Sequence, residues 1–273
     1  GYHWHYYRDI FLFARESGIK MYGVNTPREV VSAVRKKGFQ NLTPEEAALI
    51  PPKVDTTNED HKRLFRAFFA GEASMMHTMS TQMFDGMFAS QCTWDASMGY
   101  NAVQNLKKFG GPKAIMVVLI GSGHVAYNLG VQRQAGLWFD GKMASIVPVA
   151  VADGKGKAMG AVQASYADYL WGLPQEEEPL YPSLGLSTKE NKTEFPLEVI
   201  DVPKTSIAGK AGFQVGDVLQ AMDGTPLKDK ETLNRLLADK RWADSAAYTV
   251  ARAGQTLTLT AVFRREAPDE DAG

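Results

Sequence analysis

The stretch Ile115–Gly130, IMVVLIGSGHVAYNLG, decides how the chain folds. Its apolar run, which starts at Ala114 and ends at Ile120, reads as a buried strand, Gly121 and Gly123 turn the chain, and a short helical segment follows. A strand that ends in a glycine turn and enters a helix is the repeating unit of an α/β layer fold. Sites in such folds lie outside the carboxyl ends of the strands, which is where His124 stands.

Working back from the turn, residues 78–109 carry the longest helical pattern, with Met83, Met87, Trp94, Met98, Ala102 and Leu106 at three- and four-residue steps. Gln91 and Asp95 interrupt this apolar stripe and share one face beside Trp94, which aims an amide and a carboxylate inward. Further back, NEDHKRLFRAFFAG places Leu64, Phe65, Phe68 and Phe69 on one helical face, while His61, between Asp60 and Lys62, reads as solvated. Thr43 and Glu46 read as a capping box, and Thr26, Pro27 and Glu29 are likewise expected to form a capping-box start for a helix that Gly38 stops. The segment IKMYGVN reads as a short strand, and Tyr7, Ile10, Phe11 and Ala14 predict an opening helix that ends at Gly18.

Forward of the turn, MASIVPVAV is a second buried-strand candidate. The proline-rich, acidic stretch WGLPQEEEPLYPS then marks a linker at 172–183. Beyond it the pattern is β-rich, with Asp223-Gly224 as a hairpin turn, a helix around KETLNRLLAD and a closing hairpin, AYTVARAGQTLTLTAVF. The expected organisation is an incomplete α/β domain at 1–171, the linker, a small β-rich domain at 184–264 and an acidic tail at 265–273.

A net charge of −1 gives no global field for nucleic acid or an anionic membrane. The single cysteine, Cys92, excludes an internal disulfide and a cysteine zinc cluster. No apolar run approaches the roughly 20 residues of a membrane-spanning helix. The sequence opens almost inside a helical pattern, without an initiator methionine, and is expected to have lost an N-terminal part with any signal peptide.

The glycine turn supports three readings. Gly121, Gly123 and Ala126 fit a dinucleotide fingerprint with Asp140 as the acidic ribose partner, but Asn128 and Gly130 interrupt the helix such a cradle needs. Alternatively, the glycines form a tight corner and His124 satisfies a buried carbonyl. The third reading joins His124 to Gln91 and Asp95 in one pocket, since all three need polar partners. The stretch MMHTMSTQMFDGM could present thioethers and His77 to Cu(I), but methionines more commonly fill irregular gaps or line adaptable pockets.

Two resemblances extend these readings. SLGLS, VIDV, SIAGKAGFQVGDVLQAMDG and ARAG resemble the landmarks of a bacterial PDZ domain. The resemblance implies a groove for a C-terminal peptide or protein partner: Ser183, Leu184, Gly185 and Leu186 form the carboxylate loop, and Leu233, Leu236 and Leu237 form the apolar wall.

The successive stretches YYRDIFLFARESGIKMYGVNTPREVVSAVRKKGFQNLTPEE, FASQCTWDASMG and VVLIGSGHVAYNLGV resemble the ChaN-like haem-binding uptake family of the Tiki superfamily. That resemblance implies a periplasmic or outer-membrane-anchored protein tied to haem or iron acquisition, with haem as cofactor and possible sharing of it in a homodimer. Its pocket residues would be Asn25, Arg28, Gln91, Trp94, Asp95, Gly121, Gly123 and His124. Tyr2, Tyr6, Tyr7, Tyr100 and His77 are unranked axial-ligand candidates. Gln132 departs from the family pattern, which tends to have proline there, and the family's first glycine-histidine turn is absent. The superfamily's hydrolases and peptidases imply an alternative with a divalent metal, in which His124 is a metal ligand or base and Asp95 its orienting partner.

Overall fold

The computed structural model describes residues 4–68, 80–153, 156–160, 162–175 and 179–265. They fall into two compact units, one within residues 21–177 and the other within 1–20 and 178–273.

The first unit is built on a long helix. Helices α2 (Arg28–Lys37), α3 (Pro44–Ala47) and α4 (Glu59–Phe68) precede α5 (Thr81–Phe109), and α6 (Val131–Ala135) follows it. Ser80 starts α5 by accepting from the Met83 N–H, and its interior hydroxyls turn back on the helix, Ser90 to the Gly86 carbonyl at 3.0 Å and Thr93 to the Ala89 carbonyl at 2.7 Å. Two of the polar residues on this buried helix are thus satisfied by the helix itself, whereas the buried Ser97 hydroxyl has no hydrogen-bond partner among the described residues. Small residues set the approach of its neighbours: a Cβ on Gly86 would lie 2.6 Å from the Arg35 carbonyl of α2, and one on Gly99 3.0 Å from Ala135 of α6. Phe65 of α4 packs with Phe84, Phe88 and Cys92 of α5 in a buried aromatic cluster.

Two expected helix starts have different outcomes. Thr43 and Glu46 form the full capping box at α3. At α2, Pro27 occupies the cap position with no side-chain bond, because the Thr26 hydroxyl donates instead to the Leu49 carbonyl at 2.6 Å. Gly38 stops α2 with φ of 78°.

The strand expectations also divide. Strand β1 (Ile146–Ala152) pairs in parallel with β2 (Tyr169–Pro174), which runs into the segment read as linker. Ile115–Ile120 is extended but joins no described sheet, although its side chains alternate as in a strand: Ile115, Val117 and Leu119 are 88%, 75% and 60% exposed, and Met116, Val118 and Ile120 are half-buried. IKMYGVN likewise has no regular structure. The apolar pattern is there, but a ladder needs a neighbouring strand as well, and none of the described residues provides one.

The second unit closes on itself. Its sheet runs β3 (Ser187–Glu190), β4 (Leu197–Asp201), β5 (Val218–Met222), β7 (Ser245–Arg252) and β8 (Gln255–Val262), with the short β6 (Thr225–Pro226) paired to β5. Helices α7 (Ile207–Lys210) and α8 (Lys230–Ala238) complete it. Asp223 and Gly224 both take positive φ in the β5–β6 turn, as do Ala253 and Gly254 in the β7–β8 turn, which matches the twist of two-residue hairpins. Leu197, Val199, Leu219, Tyr248, Val250 and Phe263 are fully buried in one core. The buried Asp217 is held by Arg252 through contacts of 2.6 and 2.8 Å, and the Arg252 guanidinium also donates to the Gly212 carbonyl. Helix α1 (His5–Glu16) belongs to this unit, with His5 and Tyr6 on the Tyr181 ring.

Candidate functional site

The polar residues of α5 meet the glycine turn. His124 Nδ1 lies 2.5 Å from Asp95 Oδ1, and the Gln91 amide nitrogen lies 2.9 Å from that Nδ1 and 3.4 Å from the same carboxylate oxygen. Asp95 has no solvent exposure, whereas the His124 side chain is 26% exposed. Two successive 3-10 turns, Ser122–His124 and Ala126–Asn128, position the imidazole, and Tyr127 and Asn128 take positive φ within the second of them. Gly130 follows where nothing larger fits, since a Cβ there would meet the His124 carbonyl at 2.2 Å and Asp95 Oδ2 at 3.1 Å. With no helix directly after the turn, no helix N-terminus faces a pyrophosphate, and the exposed Asp140 has no cradle to complete.

A second histidine faces the same carboxylate. His61, read from its charged neighbours as solvated, is 2% exposed, with its Nε2 3.5 Å from Asp95 Oδ2 and its Nδ1 3.9 Å from Cys92 Sγ. The sequence held the signal: His61, Phe65 and Phe68 lie at i, i+4 and i+7 on α4, so one face carries all three. Its ring meets Phe88 edge-on, with centroids 5.1 Å apart. Burial drives the His61 pKa down to about 4, which keeps it neutral, and burial pushes the Cys92 thiol up so that it stays protonated. Burial also raises the Asp95 carboxyl, while its bonds to His124 and Gln91 pull the other way. Asp95 Oδ2 makes no hydrogen bond among the described residues.

The remaining expected pocket residues divide. Asn25 accepts from the Thr26 N–H, Arg28 is exposed at the start of α2, and no described hydrogen bond or ion pair brings Arg28 or Trp94 to the cluster. Gly121 lies beside the imidazole, where a Cβ would be 3.7 Å from His124 Cδ2, whereas a Cβ on Gly123 would meet the Phe68 ring at 3.8 Å. Tyr100 packs edge-on against Trp138, and Tyr6 and Tyr7 lie on α1 in the other unit. Tyr2 and His77, with most of the methionine-rich stretch, lie outside the described residues. Among the described residues no set of three His, Cys, Asp or Glu is grouped to hold a metal ion, and no helix is long and apolar enough to cross a membrane.

An apolar cavity of about 690 Å³ lies in the same unit, walled by α5 from Gly99 to Leu106 and by Ala114–Ile120, with Phe139 and Met143 also lining it. Ile120 and Val125, on either side of the Gly121–His124 turn, line the cavity, but His124 does not.

In the second unit β3 ends the sheet and pairs with β4 alone among the described strands, so its outer edge offers backbone groups to an added strand. Gly185 enters β3 with φ of 72°, and a Cβ there would lie 2.7 Å from Ser206 Cβ. Leu184 and Leu233 are buried in the core, at 3% and 4% exposure, leaving Leu186, Leu236 and Leu237 as the partly exposed apolar surface. Ser183 is exposed at the loop entrance. The Lys230 N–H of α8 donates to the Glu190 carboxylate of β3, which ties helix to strand at one end.

This geometry defines a protein with a buried carboxylate–imidazole cluster in a largely helical unit and an exposed sheet edge in a β-rich one. Residues 1–134 match the haem-binding uptake family of the Tiki superfamily, ChaN, and residues 182–262 match the PDZ domain. The chain therefore joins a ChaN-type haem-binding uptake region to a PDZ domain. It is 34% identical over 92 residues to the regulator of sigma-E protease RseP of Escherichia coli (strain K12), covering 34% of this chain and 20% of that protein; the chain spans about a fifth of that relative's length. Similar solved structures include the HtrA-type protease AlgW with decapeptide, at 24% identity over 32% of this chain and 30% of that one, with a TM-score of 0.29. The HtrA3 PDZ domain bound to a phage-derived ligand is 18% identical over 30% of this chain and 83% of that one, with a TM-score of 0.28.

Proposed function

We propose that this is a cell-envelope binding protein associated with haem or iron uptake, periplasmic or anchored to the outer membrane, whose PDZ domain docks the C-terminal peptide of a partner. The observation that carries the haem reading is the apolar cavity within the ChaN-type chain, of a size suited to a cofactor. Val103, Leu106, Val118 and Phe139 supply the walls a flat macrocycle needs. When bound, haem would supply an iron centre, and these apolar side chains would hold the macrocycle and keep water from it. Titration with hemin is expected to shift the Soret band, and an unchanged free-hemin spectrum rejects the reading.

For the PDZ domain, the open β3 edge beside Leu186, Leu236 and Leu237 supports capture of an extended peptide with an apolar terminal residue. A panel of C-terminal peptides is expected to bind with micromolar affinity, and amidation of the terminal carboxylate is expected to abolish binding.

One observation favours a second reading. The 2.5 Å contact between His124 and buried Asp95 is the arrangement of an imidazole general base with an orienting carboxylate, as a hydrolase or peptidase would use. Turnover of ester or peptide substrates that disappears in His124→Ala would establish it.

A further inference from the structure

We propose that a polar pocket beside the Ser183–Leu186 loop is an anion subsite of the PDZ domain, which takes a carboxylate side chain near the end of the docked peptide and so selects partners with acidic C-terminal segments. The proposal rests on the peptide-docking reading above and adds to it the class of partner.

The pocket, of about 330 Å³, opens where the loop leads into β3. Ser183 and Gly185 of the loop, Lys210 of α7, Trp242, and Arg264 and Arg265 after β8 form its walls. Among the described residues that line it three are cationic and none is acidic, in a chain whose net charge is −1, so the positive field is local.

The fold places these cations. The Ala243 N–H donates to the Phe263 carbonyl at 2.8 Å and the Phe263 N–H to the Asp244 carbonyl at 2.9 Å. The chain leaving β8 is thereby fastened beside Trp242, and Arg264 follows directly. The Trp242 indole N–H donates to the Pro179 carbonyl at 3.0 Å, which fixes the ring, and the Arg265 guanidinium lies over it, 5.3 Å from the ring centroid. Lys210 ends α7, whose first residues are capped by Ser206. That hydroxyl is committed, since it donates to the Pro203 carbonyl and accepts from the Gly209 N–H, so the neutral donors toward a ligand are the exposed Ser183 and Thr205. Arginine offers a fork of N–H donors that a carboxylate matches.

The direction of β3 brings a peptide to this pocket. The strand runs from Ser187 to Glu190, away from the loop, so a strand added antiparallel to it ends at the loop. Its apolar last side chain meets Leu186, Leu236 and Leu237, none of which lines the polar pocket. The two surfaces meet at the Gly185–Leu186 step, so one peptide reaches both when an acidic residue stands just before its apolar end. Lys210, Arg264 and Arg265 are exposed, which makes the gain modest and open to screening by salt.

The test uses the full chain and two synthetic peptides with the same apolar last residue, one with glutamate and one with glutamine at the two positions before it. Isothermal titration is expected to give about fivefold tighter binding of the glutamate peptide, a difference that shrinks as salt rises. Arg264→Gln combined with Lys210→Gln, its fold checked by circular dichroism, is expected to abolish the difference. Lys192→Gln, which removes an exposed cation outside the pocket, is expected to keep it. The glutamate peptide is expected to change the indole fluorescence of the wild type more than that of Trp242→Phe.

Equal affinity of the two peptides for the wild type, or a difference that survives the double variant, overturns the subsite and leaves the docking reading standing. An equal loss in Lys192→Gln reveals a general charge effect and also overturns it. Binding of neither peptide ends both readings.

Discussion

The two units solve the same packing problem to different degrees. In the PDZ unit each strand has a ladder partner, and the core residues Leu197, Leu219, Tyr248 and Phe263 are fully buried. In the unit within 21–177, Ile115, Val117, Ile146 and Trp171 are more than 60% exposed although all lie in extended chain. Their intrinsic apolarity is similar, so what differs is whether a neighbour covers the strand. An apolar side chain contributes to stability through the area it removes from water, and the same residue type is a core member in one unit and a surface member in the other.

Removing side chains on the two sides of this divide should expose the contrast most strongly. Leu219→Ala is expected to destabilise the PDZ unit by about 2–5 kcal/mol in denaturant unfolding, since Leu219 is fully buried. Ile115→Ser, at 88% exposure, is expected to change stability of its unit by less than about 0.5 kcal/mol. A comparable loss at Ile115 would show that this segment is covered in solution.

An acid titration sharpens the comparison next. His61 stays neutral in the folded unit down to about pH 4, whereas the unfolded chain takes up a proton near its ordinary value of 6.5. The unfolded state therefore binds more protons between those limits, and stability falls as pH drops from 6.5 towards 4, by up to about 3 kcal/mol. Asp95 opposes this, because its raised carboxyl favours the folded state at low pH. Unfolding measured across this window should be flatter in His61→Gln than in wild type; equal slopes would place the proton uptake elsewhere. The smallest effect is at α3, where Thr43→Ala removes the capping box and is expected to cost about 1 kcal/mol by thermal unfolding.

The parts legible in the sequence are those whose signal is local. The Asp223-Gly224 turn, the Thr43–Glu46 box and the Gly38 stop each depend on residues within a few positions, and each stands as read. The meeting of Gln91, Asp95 and His124 was also readable, because a carboxylate on an apolar helix face needs a partner. The unpaired segment 115–120 was not, since period-two alternation states a preference for pairing without supplying the pair. Thr26 was misread for a related reason: its cap site competed with a carbonyl 23 residues away, which no local pattern records. At His61 the charged neighbours Asp60 and Lys62 drew the reading to solvent, although residues adjacent on a helix point to different faces.

The uncovered run from Ile115 to Leu119 has a consequence for handling this polypeptide. Bare backbone flanked by β-branched and leucine side chains is a template for edge-to-edge pairing between molecules, and no proline or charge within the run blunts it. Solutions of the chain will self-associate as concentration rises, and a single lysine at Val117 should keep them monodisperse.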